Sequence, residues 1–242
     1  MDIKGVTNAG LKRKTNQDYF FADKIGDVYL AVVCDGIGGA HGGNIASEES
    51  VKIFVATFEE LLAFTSDYKS ILLTAVGKAN DGIYSMSQEQ PDLKGMGTTL
   101  VACVLHGDKY YIANIGDSRL YLIDRKKLKM RQMTKDHSLV QNMVDSGELT
   151  PKEAEKYPGK NIITRAIGLD ATVEADIYEG DYKGELILLC SDGLYDFMKK
   201  EDIVKITTSY VDMDVCMDEL IHTANENGGG DNITAVVMRP KK

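Results

Sequence analysis

"VVCDGIGGAHGG" (residues 32–43) drives an apolar run onto one carboxylate and then almost abandons side chains. The run begins at Val28, and "VYLAVVC" (28–34) has no polar break. An unbroken apolar run of that length reads as a buried strand. Asp35 closes it, and five glycines and one histidine follow within residues 36–43. Two readings of Asp35-Gly36 compete. Asp-Gly is an ordinary turn pair. Alternatively, the strand ends where backbone must be approached closely.

Similar segments lie on either side. "DYFFAD" (18–23), "TTLVACVLH" (98–106), "KYYIANI" (109–115), "RLYLID" (119–124), "LKMRQM" (128–133), 173–179, "ELILLC" (185–190) and "NITAVVMR" (232–239) read as strands. Short turn signals such as His106-Gly107-Asp108 point to antiparallel hairpins. Residues 44–64 place Ile45, Val51, Phe54, Val55, Phe58, Leu61 and Leu62 near one helical face, and 67–88, 200–208 and 213–226 also read as helices. Residues 137–168 are mixed and polar, with short helical pieces. Helices come in two groups between groups of strands, which excludes regular βαβ alternation. The pattern predicts an α+β fold with antiparallel layers and flanking helices, in a single domain over 1–242.

The chain has 242 residues and a net charge of −9. That balance disfavours a general nucleic-acid binder. The basic run "RKKLKMR" (125–131) reads as a solvated hairpin turn. Cys34, Cys103, Cys190 and Cys216 lack metal-ligand spacing and read as small buried residues in a reducing compartment. No apolar run approaches the ~18 residues of a membrane span, and no signal peptide is expected.

Carboxylates abut the strand-like runs. Asp18 opens one, Asp35 closes one, Asp117 lies between two, Asp192 follows "ELILLCS", and Asp231 precedes "NITAVVM". Any one of them is most simply a turn residue. Five together suggest carboxylates converging at one edge of a sandwich, where they repel unless protonated or neutralised by a cation. Oxygen donors without a His/Cys set favour Mg²⁺ or Mn²⁺. Two such ions activate water and offset phosphoryl charge. Arg13, five residues before Asp18, is read from its neighbours Lys12 and Lys14 as a surface cation.

The motifs "RKTNQD", "CDGIGG", "GMGTTL", "IGDSRLYL", "DHSLVQ", "NIITRAIG", "CSDGLYD" and "GGGDNITAVV" come in this order over residues 13–237. Together they resemble a metal-dependent protein serine/threonine phosphatase of the PP2C type (PPM family), in its compact bacterial form. The resemblance implies a central antiparallel β-sandwich flanked by helix pairs, in four α-β-β-α layers. It implies hydrolysis of phosphoserine and phosphothreonine by water bridging two Mn²⁺ or Mg²⁺ ions. Asp35 would bridge the ions and Gly36 would offer its carbonyl to one. Asp192 and Asp231 would bind the other, Asp18 would act in the second ion's sphere, and Asp117 would serve a third ion. Arg13 would grip the phosphate, which replaces its reading as a surface cation. Residues 138–167 match a flap beside the site.

Three departures stand out. Ile37 occupies a position that is His in many members, His41 lies one residue beyond the His of bacterial members, and Gln17 replaces a Glu. His41 is a candidate general acid, as is a metal-bound water. The implied partners are phosphorylated proteins, including a cognate kinase and its substrates, in a bacterial cytoplasm; a monomer is expected. Two rivals are a non-catalytic module on this fold and a nucleotide phosphate loop at "DGIGGAHGG". The first is disfavoured because no metal carboxylate is lost, and the second because no Lys-Ser/Thr follows the glycines.

Overall fold

The computed structural model describes residues 1–38, 42–154 and 156–241. One sheet runs in the order β1 (Asp2–Asn8), β11 (Ile233–Arg239), β10 (Leu186–Cys190), β7 (Arg119–Asp124) and β8 (Lys129–Gln132). The other runs β2 (Asp18–Ile25), β3 (Val28–Ile37), β5 (Leu100–His106), β6 (Lys109–Ile115) and β9 (Asp176–Asp181), with the short β4 (Gly97–Thr98) paired to β3. Every strand pair is antiparallel.

Side-chain alternation explains why the central runs are apolar throughout. Leu30, Val32 and Cys34 of β3 face a core shared with helices, whereas Ala31 and Val33 face the other sheet. In β10, Leu186, Leu188 and Cys190 face helices while Ile187 and Leu189 face the opposite sheet. Successive residues point to opposite faces of a strand, so both faces must be apolar when both are covered. Three packed cores therefore separate four layers.

Helices α1 (Gly43–Leu62) and α2 (Tyr68–Glu89) cover the β3 sheet. α1 buries Ala46, Ser50, Phe54 and Phe58, one residue per turn. Asp67 caps α2 by accepting the Ser70 N–H at 3.2 Å. On the β10 sheet lie α5 (Asp192–Tyr195), α6 (Lys200–Ser209) and α7 (Met213–Glu226). Asp212 caps α7, accepting from Asp214 N–H at 2.8 Å. Between β8 and β9 lie α3 (Leu139–Asp145) and α4 (Pro151–Ala154).

Several elements differ from the sequence reading. The run read as one strand over 98–106 breaks at Thr99 into β4 and β5. β1 was not foreseen; it is an edge strand whose residues are half-buried or exposed. β9 begins at Asp176 rather than 173, again on a half-buried edge. α5 is a single turn, too short to show periodicity. The four cysteines are buried and unpaired, and burial pushes the Cys34, Cys103, Cys190 and Cys216 thiols up. Lys126 and Lys127 lie exposed in the turn between β7 and β8, as a solvated hairpin requires. No helix among the described residues is long and apolar enough to cross a membrane.

The inter-sheet core should dominate stability. Leu189→Ala, at a fully buried position between the sheets, is expected to cost about 2–5 kcal/mol in urea unfolding.

Candidate metal centre and active site

The carboxylates gather where the two sheets meet at one end. Asp18 and Asp35 are direct cross-strand partners on β2 and β3, a pairing that places Cα atoms about 4.5–5.5 Å apart. Like charges directly opposite repel. The backbone of Asp35 is held firmly. Its N–H donates to Thr99 Oγ1 at 2.9 Å, and its carbonyl accepts from Thr99 N–H at 2.9 Å and Thr98 Oγ1 at 2.8 Å. Thr99 Oγ1 also lies 2.7 Å from Ser118 Oγ, beside Asp117. From the other sheet, Ser191 Oγ donates to Asp18 Oδ2 at 2.6 Å, while Thr234 N–H donates to Ser191 Oγ at 3.0 Å.

Both Asp-Gly glycines serve close approach rather than a turn. Neither Gly36 nor Gly193 is among the glycines with positive φ. A Cβ on Gly36 would stand 2.1 Å from Gly43 O and 2.7 Å from Gln17 O. One on Gly193 would stand 1.9 Å from Asn232 O. Gly193 thus lets Asp192 at the start of α5 pack beside Asp231. Gly43 is bare for a related reason, since its Cβ would lie 2.9 Å from the Gly36 carbonyl.

Asn232 ties the Arg13 loop to this edge. Its Nδ2 donates to the carbonyls of Ala9 and Thr15, both at 3.0 Å, and its Oδ1 accepts from Gln17 N–H at 2.8 Å. Leu11 N–H donates to Gly229 O at 2.8 Å. The loop so held delivers Arg13 to the cluster, where Nη2 donates to Asp231 Oδ2 at 2.7 Å. Asp231 raises the Arg13 pKa most, with smaller contributions from Asp192 and Asp35. Arg13 is half-exposed, but it faces the carboxylates and is no free member of the Lys12–Lys14 run.

Desolvation dominates the electrostatics. Burial, then the charge on Asp18, pushes Asp35 well above the usual carboxylate range. Burial, then Asp117, does the same to Asp192. Asp35 and Asp192 are touched by solvent yet closely surrounded by protein, as in the floor of a cleft. Burial raises Asp18 to about 6 against the lowering effect of its Ser191 hydrogen bond. Asp117 is raised to about 7 by burial and then by Asp136. Asp18 Oδ1 and Asp192 Oδ1 are buried without a hydrogen-bond partner.

These observations fit divalent cations. The donors are oxygens only, two are orphaned, and the carboxylates raise one another's pKa values for want of positive charge. Among the described residues no three acidic, His or Cys side chains already stand as a ready ligand set. In this structure Asp231 is turned to Arg13 and Asp18 to Ser191. Of the sequence candidates, Arg13, Asp18, Asp35, Gly36, Asp117, Asp192 and Asp231 lie on this edge, whereas His41 lies outside the described residues.

Some functional residues were not legible as such. Asn232 and Ser191 sat inside quoted motifs, but nothing in sequence showed their partners. His137 is another. Its Nδ1 accepts from Gly116 N–H at 3.0 Å and its backbone N–H donates to Gly116 O at 2.9 Å, gripping the turn before Asp117. A groove of about 760 Å³ opens from Asp117, between Val140 and Val144 of α3 and Met198 and Lys200 near the start of α6.

An antiparallel α-β-β-α sandwich with clustered carboxylates at one edge defines a class of metal-assisted hydrolase sites. Comparison with known proteins narrows this. Residues 11–233 match the family Protein phosphatase 2C. A serine/threonine phosphatase stp of Listeria monocytogenes serotype 4b is 36% identical over 212 residues, covering 86% of this chain and 83% of that protein. The crystal structure of serine/threonine phosphatase Stp1 from Staphylococcus aureus superposes with a TM-score of 0.91 at 31% identity, covering 100% of this chain and 95% of that one. The catalytic domain of phosphatase PstP, solved in complex with 2 manganese ions, gives 0.82 at 33% identity over 98% of this chain and 96% of that one. The chain belongs to the protein phosphatase 2C family and is a serine/threonine phosphatase.

Asn232→Ala strips partners from Gln17 N–H and from the Ala9 and Thr15 carbonyls. A lost hydrogen bond costs about 0.5–1.5 kcal/mol. Urea unfolding is expected to show a loss of about 2–4 kcal/mol for the three together, larger than that of Asn16→Ala nearby.

Proposed function

We propose that the clustered carboxylates hold two Mn²⁺ or Mg²⁺ ions with which the chain hydrolyses phosphoserine and phosphothreonine in proteins. Asp35 and the Gly36 carbonyl would hold one ion, with Asp35 shared with its neighbour and orienting the attacking water. Asp192 and Asp231 would hold the other ion. Asp18 would act in the sphere of the second ion, and Asp117 with Asp192 would hold a third. The observation that carries this reading is the cluster itself: Asp18, Asp35 and Asp192, from β2, β3 and α5, are destabilised as anions by burial and by neighbouring carboxylates, and Asp231 joins them just before β11. The two manganese ions in the related PstP structure support the choice of metal.

When bound, the two ions lower the pKa of a water between them and withdraw charge from the phosphoryl oxygens. The rest falls to the chain. Arg13 leaves Asp231 and turns its planar fork to the phosphate's outer oxygens. Water adds to phosphorus, the P–O bond to the Ser or Thr side chain breaks, and the departing oxygen takes a proton. His41 remains a candidate donor for that proton. The region 138–167 acts as a flap beside the site. The whole of 1–242 functions as a single phosphatase domain and as a monomer in the cytoplasm, opposite a cognate kinase and its substrates.

Phosphate release from a phosphothreonine peptide tests this. Activity is expected with Mn²⁺ and absent after chelation, and Asp35→Asn should lose at least about a hundredfold. Full activity of Asp35→Asn would refute the assignment.

A pH dependence follows from the raised carboxylates. Asp18 and Asp117, lifted to about 6 and about 7 from 3.8, favour folding when protonated. That contribution is complete below the unfolded value and is lost as pH rises through about 6 to 7. Thermal melting of the metal-free protein should therefore fall between pH 5 and 8. Mn²⁺ should raise the melting temperature more at pH 8 than at pH 5, because it displaces protons.

A further inference from the structure

We propose that Arg119, acting through Tyr195, is a positioning residue that fixes the spacing of Asp117 and Asp192 and so sets how tightly the third cation, the one read at those two residues, binds. The proposal rests on the metal-binding reading of the cluster and extends it to residues that touch no ion.

The geometry is a stack with two ends. Arg119 opens β7, two residues after Asp117. Its Nε donates to Asp136 Oδ1 at 3.0 Å and Nη2 donates to Asp136 Oδ2 at 2.6 Å, a two-pronged clamp. Nη1 donates to Tyr121 Oη at 3.2 Å. The guanidinium carbon lies 3.6 Å from the centroid of the Tyr195 ring. Tyr195 in turn donates its hydroxyl to the Asp117 carbonyl at 3.1 Å. Tyr195 ends α5, and Asp192 begins it. A single short helix thus carries Asp192 at one end and, at the other, a ring fixed to both Arg119 and the Asp117 backbone.

Three features argue for positioning rather than mere stability. First, a largely buried ion pair is a weak source of stability, because desolvating both charges offsets their attraction. Second, Arg suits this place where Lys does not. Only a flat guanidinium can fork onto a carboxylate while presenting its face to a ring. Third, among the described residues the other side-chain hydrogen bonds to the Gly116–Ser118 turn come from outside α5. His137 holds Gly116 and Thr99 approaches Ser118. Tyr195 is the tie in the structure from this turn to the helix that carries Asp192. Asp117 and Asp192 repel each other, with Asp117 the strongest charge acting on Asp192. Left untied, the turn and the helix would separate, and a cation bridging them would lose one ligand or the other. Groups that orient metal ligands typically contribute ten- to a hundredfold in affinity.

Calorimetric titration of Mn²⁺ into the metal-free, full-length protein tests this. The wild type is expected to show tight binding and a weaker event, and Asp117→Asn to lose the weaker one. Tyr195→Phe keeps the stack and removes only the hydroxyl. It should weaken the weaker event about tenfold and leave tight binding unchanged, while the metal-free melting temperature falls only by the loss of one hydrogen bond. Arg119→Lys keeps the charge and loses the fork and the face, and should weaken the same event at least as much. If both variants bind Mn²⁺ as the wild type does, the proposal fails while the metal reading stands. If tight binding weakens equally with the weaker event, the residues support the cluster as a whole and the proposal also fails. If the wild type binds no Mn²⁺, the metal reading fails and takes the proposal with it.

Discussion

The structure turns on one unfavourable contact. Asp18 and Asp35 are paired residues on adjacent strands, and the protein removes both from most of their water. Two carboxylates so placed cannot both ionise without positive charge nearby. The fold does not relieve the repulsion by spreading the residues apart. It adds Asp192 and Asp231 from the second sheet and Asp117 from a turn between the sheets. What holds these anions together is backbone geometry: strand pairing, the Thr98–Thr99 bonds to Asp35, and the bare faces of Gly36 and Gly193. Such a site forgoes some stability in order to be ready for cations.

That bargain needs a rigid frame, and the four layers provide it. β3 and β10 are buried on both faces, so neither can shift without disturbing two cores. Interiors packed at crystal-like density transmit small displacements rather than absorb them. The site residues sit at strand ends and at the first turn of α5, where the frame is stiff but solvent still reaches. Helices α3 and α4, by contrast, bury no residue.

The sequence made the centre of the fold legible and its margins obscure. "VYLAVVC" and "ELILLC" announced buried strands because both faces are covered and no polar residue interrupts them. β1, "DIKGVTN", has too little apolar character to announce itself; only its register against β11, from Asp2 opposite Arg239 to Asn8 opposite Ile233, makes it a strand. The acidic members of the site stood out as punctuation at the ends of apolar runs. Their supports did not. Asn232 acts on residues more than two hundred positions away, and Arg119 meets Asp136 and Tyr195 only once the chain has folded. A turn reading of Asp-Gly was reasonable, yet the glycines are there for contacts with Gly43 and Asn232 that no local pattern encodes.

Charge closes the argument. A chain of net charge −9 should repel a phosphorylated protein, whose phosphate carries about −1.5 to −2. Long-range attraction therefore cannot come from the protein as a whole. It must be created locally, and salt screens the distant charges beyond about 8–10 Å while leaving a recessed site less affected. Arg13 supplies one positive charge there, but in this structure its fork is occupied by Asp231. Cations held by the carboxylates would reverse the sign of the cleft and release that fork in one event. The concentration of acid that makes the bare site unfavourable is the same feature that lets an acidic protein attract a phosphate dianion once cations are bound.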